Sequence, residues 1–477
     1  MAGEIASNRR TSPGWALALT TVAFFMGALD NLVVITALPA IHREIGGTLT
    51  TLEWTVNAYT LAVAATIITA AALGDQLGRR RVYVIGLLLF TSASAACALA
   101  PTPELLIAAR AVQGIGAGII KPLSLTILTA AFPAERRGAI IGVWGGIGGL
   151  AIAAGPLVSG AVTEGLNWHW IFWVNVPIGL AAAILSTIRL GESHGPKTRL
   201  DVPGLALVSA GAVGIIWGLV RANDAGWDST EVIGSLAGGA LLLIAFVGWE
   251  SRAAEPMLPL RLFKVRTFAA ANAVAFLTFG TITSAAFLAS QFFQLGLGYS
   301  PLGTGVRFLP WTAAPFLVAP MAGMLVDRIG SRPLIVTGLA LQAVGLGWIV
   351  RIATAGVGYD QLVMPFVIAG IGISMAIPAT PTAAMSAVAP ADMGKASGVL
   401  NTMQRFGAAF AVAIVSAVFA ANGHFGSPAS VTAGFRPAFA VSAGLSLLGA
   451  LTALAITRRQ ATPRPAFQEL VEEAPAA

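Results

Sequence analysis

Charged residues, cysteine and histidine are all scarce in this chain. Only 10% of its 477 residues are charged, whereas a soluble domain carries about 25%. The single cysteine, Cys97, excludes an intrachain disulfide and a cysteine-ligated metal site. All four histidines fall in predicted loops or helix ends, and no serine–histidine or paired-carboxylate arrangement lies within an apolar run. We therefore expect no enzyme, no catalytic residue, no bound metal and no cofactor.

A nucleotide-binding loop is also missing. The nearest sequence, MGKAS at residues 393–397, lacks the upstream glycine of such a loop. It also lacks a serine or threonine directly after the lysine. Transport driven by ATP therefore lacks its chemistry.

Long apolar runs dominate the chain instead. It is 56% hydrophobic with a mean hydropathy of +0.80, and runs of about 18–25 residues suit helices that cross roughly 30 Å of hydrocarbon. Fourteen candidate spans lie near residues 15–38, 53–73, 82–100, 105–131, 139–162, 170–188, 204–220, 232–249, 268–290, 304–325, 334–351, 362–384, 397–420 and 436–457. The sequence predicts an all-α polytopic membrane protein in a lipid bilayer, with an uncleaved first helix.

The positive charges are distributed unevenly along these spans. Five of the 28 lysines and arginines fall on one side of the predicted membrane, three fall within spans, and the other twenty fall on the opposite side. This asymmetry follows the positive-inside rule. It predicts a plasma (inner) membrane protein with both termini in the cytoplasm, and it explains the net charge of +7 without a nucleic-acid partner.

Two loop sequences recur along the chain. LGDQLGRR at residues 73–80 returns as LVDRIGSR at residues 325–332, and FPAERRGAIIG at 132–142 is echoed by APADMGKASG at 389–398. Equivalent loops on one side of the membrane indicate a parallel repeat of two six-helix bundles. The predicted domains are an N-terminal bundle at 1–190, two linker helices at 191–267, a C-terminal bundle at 268–460 and a disordered cytoplasmic tail at 461–477.

These loops, together with RAVQGIGAG at residues 110–118 and a fifth span rich in glycine, resemble the major facilitator superfamily. The fourteen spans, and segments such as LDNLVVITALP at 29–39 and EWTVNAYTLA at 53–62, resemble its fourteen-span drug:proton antiporter family. The resemblance implies the major facilitator fold and a membrane transport function. It implies proton-coupled antiport, in which small amphipathic drugs, antibiotics or metabolites are exported by alternating access. Its partners would be protons and a small-molecule substrate, and we expect a monomer.

Asp30 and Arg110 place two charges inside predicted spans, where a charge costs at least about 2.5–3.5 kcal/mol. At 1.5 Å per residue they lie about 12 Å and 9 Å below the same predicted membrane surface, so a contact between them is possible. Burial favours a neutral Asp30, whereas Arg110 favours the anion. The resemblance implies that both residues couple transport to protons; a static buried ion pair is the alternative.

Lys121 is the third such charge, about 25 Å below the outer surface. Family members carry an apolar residue here, so the lysine indicates either an anionic or zwitterionic substrate or a side chain that snorkels to the cytoplasmic interface. Polar groups within spans are candidates for the substrate cavity, with hydrogen bonds between helices as the alternative. These candidates are Asn57, Tyr59, Gln113, Lys121, Gln291, Gln294, Asn401 and Arg405.

The recurring loop implies, through the resemblance, a cytoplasmic latch that must release during transport. Its residues are Gly74, Asp75, Gly78, Arg79 and Arg80 in the first copy and Gly323, Asp327, Arg328, Gly330 and Arg332 in the second. Ala71 and Gln76 depart from the family pattern. The alternative is an ordinary loop held at the headgroups by its arginines.

The fifth span carries Gly142, Gly155, Pro156 and Gly160, a spacing that resembles the antiporter motif of the superfamily. Ala151 and Ser159 replace glycines in that motif and remain small. The motif implies export, whereas close helix packing alone is the alternative. A proton-coupled nutrient importer and a transport-inactive sensor or scaffold are the other functions that the sequence leaves open.

Overall fold

The computed structural model describes residues 12–47, 49–195, 201–253, 256, 258, 260–389, 392–423 and 428–457, and all regular structure among them is helical. The N-terminal helices are α1 Pro13–Ile45, α2 Leu49–Leu77, α3 Arg79–Ala98, α4 Pro103–Ala131, α5 Ala134–Gly165, α6 Trp170–Trp173 and α7 Asn175–Arg189. They are followed by α8 Val202–Ala225, α9 Thr230–Glu250 and α10 Leu260–Phe263. The C-terminal helices are α11 Arg266–Gln291, α12 Pro301–Thr312, α13 Ala314–Ile329, α14 Ser331–Ile352, α15 Tyr359–Ser386, α16 Met393–Asn422 and α17 Pro428–Ala453. The predicted tail lies outside the described residues.

Twelve helical segments of the described chain are long and apolar enough to cross a membrane. The number is thirteen if α2, which bends by 48° between Thr51–Ile67 and Thr69–Leu77, is one span. Several segments combine two helices: α6 continues into α7, α12 into α13, and α11 into a π-helical turn at Phe292–Gly296. The remaining predicted span, 139–162, lies within α5, which is helical over Ala134–Gly165 but is not among the twelve.

The helices pack in two sets with a pair between them. Among the N-terminal helices, α4 packs against α2 and α3, and α1 packs against α5. Among the C-terminal helices, α15 packs against α14, and α11 against α16 and α17. Helices α8 and α9 pack on each other, with α8 also touching α2 and α16. The two sets meet chiefly where α5 contacts α12 and where α2 contacts α16. The domain boundaries stay a prediction.

The apolar core joins several helices of each set at one end, and at the other end it includes only α2 of the N-terminal set with the C-terminal helices. Toward the predicted outer side, one cluster joins buried residues of both sets, such as Leu38 and Phe292. Toward the opposite side the described residues form two clusters. One contains N-terminal residues alone, such as Leu123, and the other gathers C-terminal residues, such as Phe406, with α8 and part of α2.

The repeat is visible in the backbone. Gly78 joins α2 to α3 with φ +108°, and Gly330 joins α13 to α14 with φ +84°. Each donates its N–H to the carbonyl four residues earlier, Gly78 to Gly74 at 3.0 Å and Gly330 to Val326 at 2.9 Å. An L side chain is strained at such a φ, so glycine is needed at both turns. The predicted loops are therefore mostly helix ends with a single turning residue.

Candidate functional site

Asp30 and Arg110 meet in the interior of the N-terminal helices. Helix α4 begins where Thr102 accepts a hydrogen bond from the Leu105 N–H at 3.4 Å, with a proline in the first turn, as helix starts favour. This start places Arg110 two turns into α4, facing α1. Its Nη1 donates to Asp30 Oδ2 at 2.5 Å. Both side chains are sealed from solvent, at 1% exposure for Arg110 and 0% for Asp30.

Two amides complete the surroundings of Asp30. Its Oδ1 accepts from Gln113 Nε2 at 2.9 Å and from Asn175 Nδ2 at 3.3 Å. Both amides also donate to the Ser94 hydroxyl, at 3.3 Å and 3.2 Å, and Ser94 donates to the Phe172 carbonyl at 2.9 Å. The structure therefore places Gln113, a predicted cavity residue, in the buried network around Asp30. Sequence reasoning missed Asn175 and Ser94, although an asparagine within the sixth span was a signal.

Neutral groups surround the rest of the Arg110 guanidinium. Nη1 also donates to Gln113 Oε1 at 2.7 Å, and Nε donates to the Thr55 carbonyl at 3.3 Å. The ring of Tyr59 lies 4.1 Å from Cζ, within cation–π range. Tyr59 donates its hydroxyl to the Gly27 carbonyl at 3.1 Å and is buried. If Asp30 became neutral, Arg110 would keep only uncharged partners in a site of low polarity.

A second polar cluster spans the boundary between the two sets of helices. Lys121 Nζ on α4 donates to Asn401 Oδ1 on α16 at 2.5 Å. Asn401 is held in this orientation because its Nδ2 donates to the Ser397 carbonyl at 2.9 Å. Arg405 follows Asn401 by one helical turn and therefore lies on the same face of α16. The lysine thus reaches across the interface instead of toward the membrane surface.

Three further polar side chains predicted for the cavity have different environments. Gln294 donates to the Thr36 carbonyl of α1 at 2.8 Å, a hydrogen bond between helices of the two sets. Gln291 and Asn57 are buried, at 1% and 0% exposure, and neither amide has a hydrogen-bond partner among the described residues. Buried amides ordinarily have partners, so these two groups have unused hydrogen-bonding capacity.

The first copy of the predicted latch loop contacts the chain that follows α7. Asp75 pairs with Arg79 at 2.8 Å, and its carbonyl accepts from the Gly195 N–H at 3.1 Å. Arg80 lies 3.7 Å from Glu192 and donates to the Leu190 carbonyl at 3.1 Å. All of these contacts lie within the N-terminal set of helices and the chain that directly follows it. Apart from its charge, nothing in the sequence indicated that Glu192 would contact this loop.

The second latch loop is described in part. Gly323 lies within α13, and Gly330 forms the turn discussed above. Arg328 is exposed in the last turn of α13, and Arg332 lies at the start of α14. The side chain of Asp327 lies outside the described residues.

Helix α5 uses its small residues for close contacts. Gly160 lies against the Pro301 carbonyl of α12, and Gly305 of α12 lies against the Pro156 carbonyl of α5. A side chain at either glycine would occupy the position of the opposing backbone. On its other side α5 approaches α1, where Ser159 donates to the Val33 carbonyl at 2.6 Å. Gly155 also faces α1, and the surroundings of Gly142 lie outside the described residues.

Glu164, just beyond the predicted fifth span, adds a polar contact to the same interface. Its Oε2 accepts the Leu302 N–H at 3.0 Å at the start of α12. Hydrogen bonds from the Ser300 hydroxyl and from this N–H hold the pKa of Glu164 below its ordinary value. A carboxylate at a helix N-terminus also meets the favourable end of the helix dipole. The contact joins the two sets of helices at the predicted outer surface.

Comparison with known proteins identifies the family. The sequence pattern of the Major Facilitator Superfamily matches residues 20–412 and, separately, residues 272–476. The chain belongs to the major facilitator superfamily. It is therefore a multi-pass membrane transporter of small molecules, and the expectation that it is not an enzyme is confirmed.

Relatives within the superfamily include efflux proteins. The multidrug resistance protein Stp of Mycobacterium tuberculosis is 34% identical over 407 residues, covering 85% of this chain and 75% of its own. The cephamycin export protein CmcT of Amycolatopsis lactamdurans is 34% identical over 430 residues, covering 89% and 88%. The crystal structure of an auto-inhibited POT family peptide transporter has a TM-score of 0.70 at 15% identity, covering 95% and 98%. That last likeness concerns the fold alone and confirms the predicted major facilitator fold.

Proposed function

We propose that this chain is a proton-coupled antiporter that exports small amphipathic molecules by alternating access. It belongs, on this proposal, to the fourteen-span drug:proton antiporter family and lies in the plasma membrane with both termini in the cytoplasm. On this proposal the fourteen spans are the twelve apolar segments, the bent α2 and helix α5, arranged as six, two and six. The multidrug resistance named for Stp and the export named for CmcT support this proposal.

The sealed contact between Asp30 and Arg110 is the observation that carries the proposal. Asp30 is the acid that Arg110, Gln113 and Asn175 all contact as donors. Adding a proton to Asp30 removes one charge of a buried pair and releases Arg110 toward its neutral partners. Because an unpaired buried charge is costly, protonation of Asp30 favours a rearrangement of the helices that carry these groups. The carboxylate therefore converts proton binding into helix movement.

The contacts at the predicted outer side indicate what must move. Gln294 bonds to α1, Glu164 bonds to the start of α12, and α5 and α12 interlock at their glycines. All three contacts join the two sets of helices. These contacts must therefore break before substrate can leave toward the outside. At the opposite ends only α2 of the N-terminal set, through Leu61 and Ala64, packs in the apolar cluster of the C-terminal helices. In this arrangement the site is closed to the outside. When the outer side opens, a proton from outside binds Asp30 as substrate leaves, and the two sets of helices then return to this arrangement.

Proton exchange in liposomes tests the proposal. A drug-susceptibility panel in a strain without its own pumps first selects an exported compound. The purified chain is then reconstituted with a pH-sensitive dye, and the compound is added on one side. Antiport moves protons against the direction of the compound. Movement of the compound without protons, or with protons in the same direction, contradicts the proposal.

A further inference from the structure

We propose that the exported molecule carries an anionic head group, a carboxylate or sulfonate, that binds between Lys121 and Arg405. This inference rests on the proposed function and adds the charge of the substrate to it. The two cations come from different sets of helices, Lys121 from α4 and Arg405 from α16. A bound anion would therefore contact both sets at once.

The two cations lie beside residues of two different apolar clusters. Lys121 is flanked by Ile120 and Leu123, which belong to the N-terminal cluster. Arg405 precedes Phe406, which belongs to the other cluster. Both cations are half-buried, and the bond between Lys121 and α16 places its exposed surface in the interface instead of against lipid. The two charges therefore lie at the interface between the sets.

Neither cation is neutralised by the described residues. No carboxylate forms an ion pair with Lys121 or Arg405 there, in contrast to Arg110. Lys121 has one amide oxygen as acceptor, although an ammonium offers three donors and a guanidinium five. Two like charges near each other in a poorly solvated interface repel. An anion between them reverses that repulsion and supplies charge-assisted hydrogen bonds, the strongest kind available here.

The unpartnered amide of Asn57 supplies a second, independent indication of a ligand. Asn57 lies one turn before Leu61 on α2, and Leu61 packs into the same cluster as Leu400 and Phe406 of α16. Asn57 therefore lies on the face of α2 that meets the C-terminal helices. Polar groups on an amphipathic molecule would satisfy amides of this kind.

Binding of a matched acid and amide tests the inference. The full chain is placed in phosphatidylcholine nanodiscs, and the affinities of anthracene-9-carboxylate and anthracene-9-carboxamide are measured by fluorescence. We expect the acid to bind at least about tenfold more tightly, as charge-assisted hydrogen bonds predict. Lys121→Met and Arg405→Gln should each remove most of this preference, and Lys121→Arg should keep it. Lys264→Met and Arg351→Gln, which remove exposed charges of the same kinds, are the matched controls.

Three results would overturn the inference. The first is equal affinity of acid and amide, or no measurable binding of either, in the unaltered chain, a result that needs no variant to fold. The second is a preference that survives in both Lys121→Met and Arg405→Gln. The third is displacement of the acid by phosphatidylglycerol in the disc, which would assign the site to a lipid headgroup. Loss of proton exchange with the acid preference intact would instead contradict the proposed function alone.

Discussion

Replacing Asp30 by asparagine tests the buried pair most directly. The change keeps the shape of the side chain but removes the charge that Arg110 contacts at 2.5 Å. Removing one partner of a fully buried ion pair costs about 3–5 kcal/mol, because the other charge stays behind without compensation. Arg110 keeps the Thr55 carbonyl, the Gln113 oxygen and the Tyr59 ring. We therefore expect a destabilised chain that still folds.

Asp30→Asn should lose stability and proton-driven transport but keep the exchange of substrate. Thermal unfolding monitored by size-exclusion chromatography should show the loss of stability. In proteoliposomes, uptake driven by a pH gradient should disappear, whereas exchange of labelled for unlabelled substrate, which needs no proton, should remain. Arg110→Gln alone leaves an unpaired acid. The double variant should lose less stability than the sum of the two single variants, since the pair is then absent as a whole.

The exposed pair of Arg221 and Glu231 provides the matched control. Its atoms are 3.2 Å apart, but the side chains are 35% and 43% exposed. Glu231→Gln should therefore cost much less stability than Asp30→Asn and leave coupling intact. If Asp30→Asn instead transports with the pH gradient as the unaltered chain does, Asp30 has no part in coupling. A stability loss no greater than that of the control would refute the magnitude argued above.

Three further predictions concern the helix contacts. Gly160→Leu should abolish transport while leaving expression intact, because the side chain occupies the place of the α12 backbone; normal transport would contradict the close approach. Since its pKa is lowered, Glu164 should keep its contact with Leu302 above its ordinary pKa of about 4.3 and lose it only at more acidic pH. Hydrogen exchange of the Leu302 amide, corrected for intrinsic rate, should stay slow from pH 8 to 5 and be fast at every pH in Glu164→Ala; equal protection in both chains would refute this. Arg80→Gln should cost about 1 kcal/mol in thermal unfolding by loss of the half-buried pair with Glu192 and should slow transport if the loop acts as a latch; an unchanged rate would remove that role.

The candidate site could be predicted only in part. The depths of Asp30 and Arg110 predicted their contact, because depth along a helix follows from residue spacing alone. Asn175 and Ser94 were missed, because membership of a network depends on how each helix is rotated about its axis. For the same reason the sequence predicted Gln113 as a cavity residue and did not predict its contact with Asp30. Polarity within a span indicates that a side chain has a partner without indicating which one.

Hydropathy, loop charge and the repeated loops by themselves determined the all-helical membrane fold, because each is a local property that the bilayer reads segment by segment. The paired glycine turns at Gly78 and Gly330 belong to this class. Only the tertiary structure decided that Lys121 meets Asn401, 280 residues away. It also decided that α5 and α12 interlock, and that the apolar core joins many helices of the two sets at one end but only α2 of the N-terminal set at the other. These features depend on packing between distant helices, where side-chain shape and helix rotation, not hydropathy, select the contact.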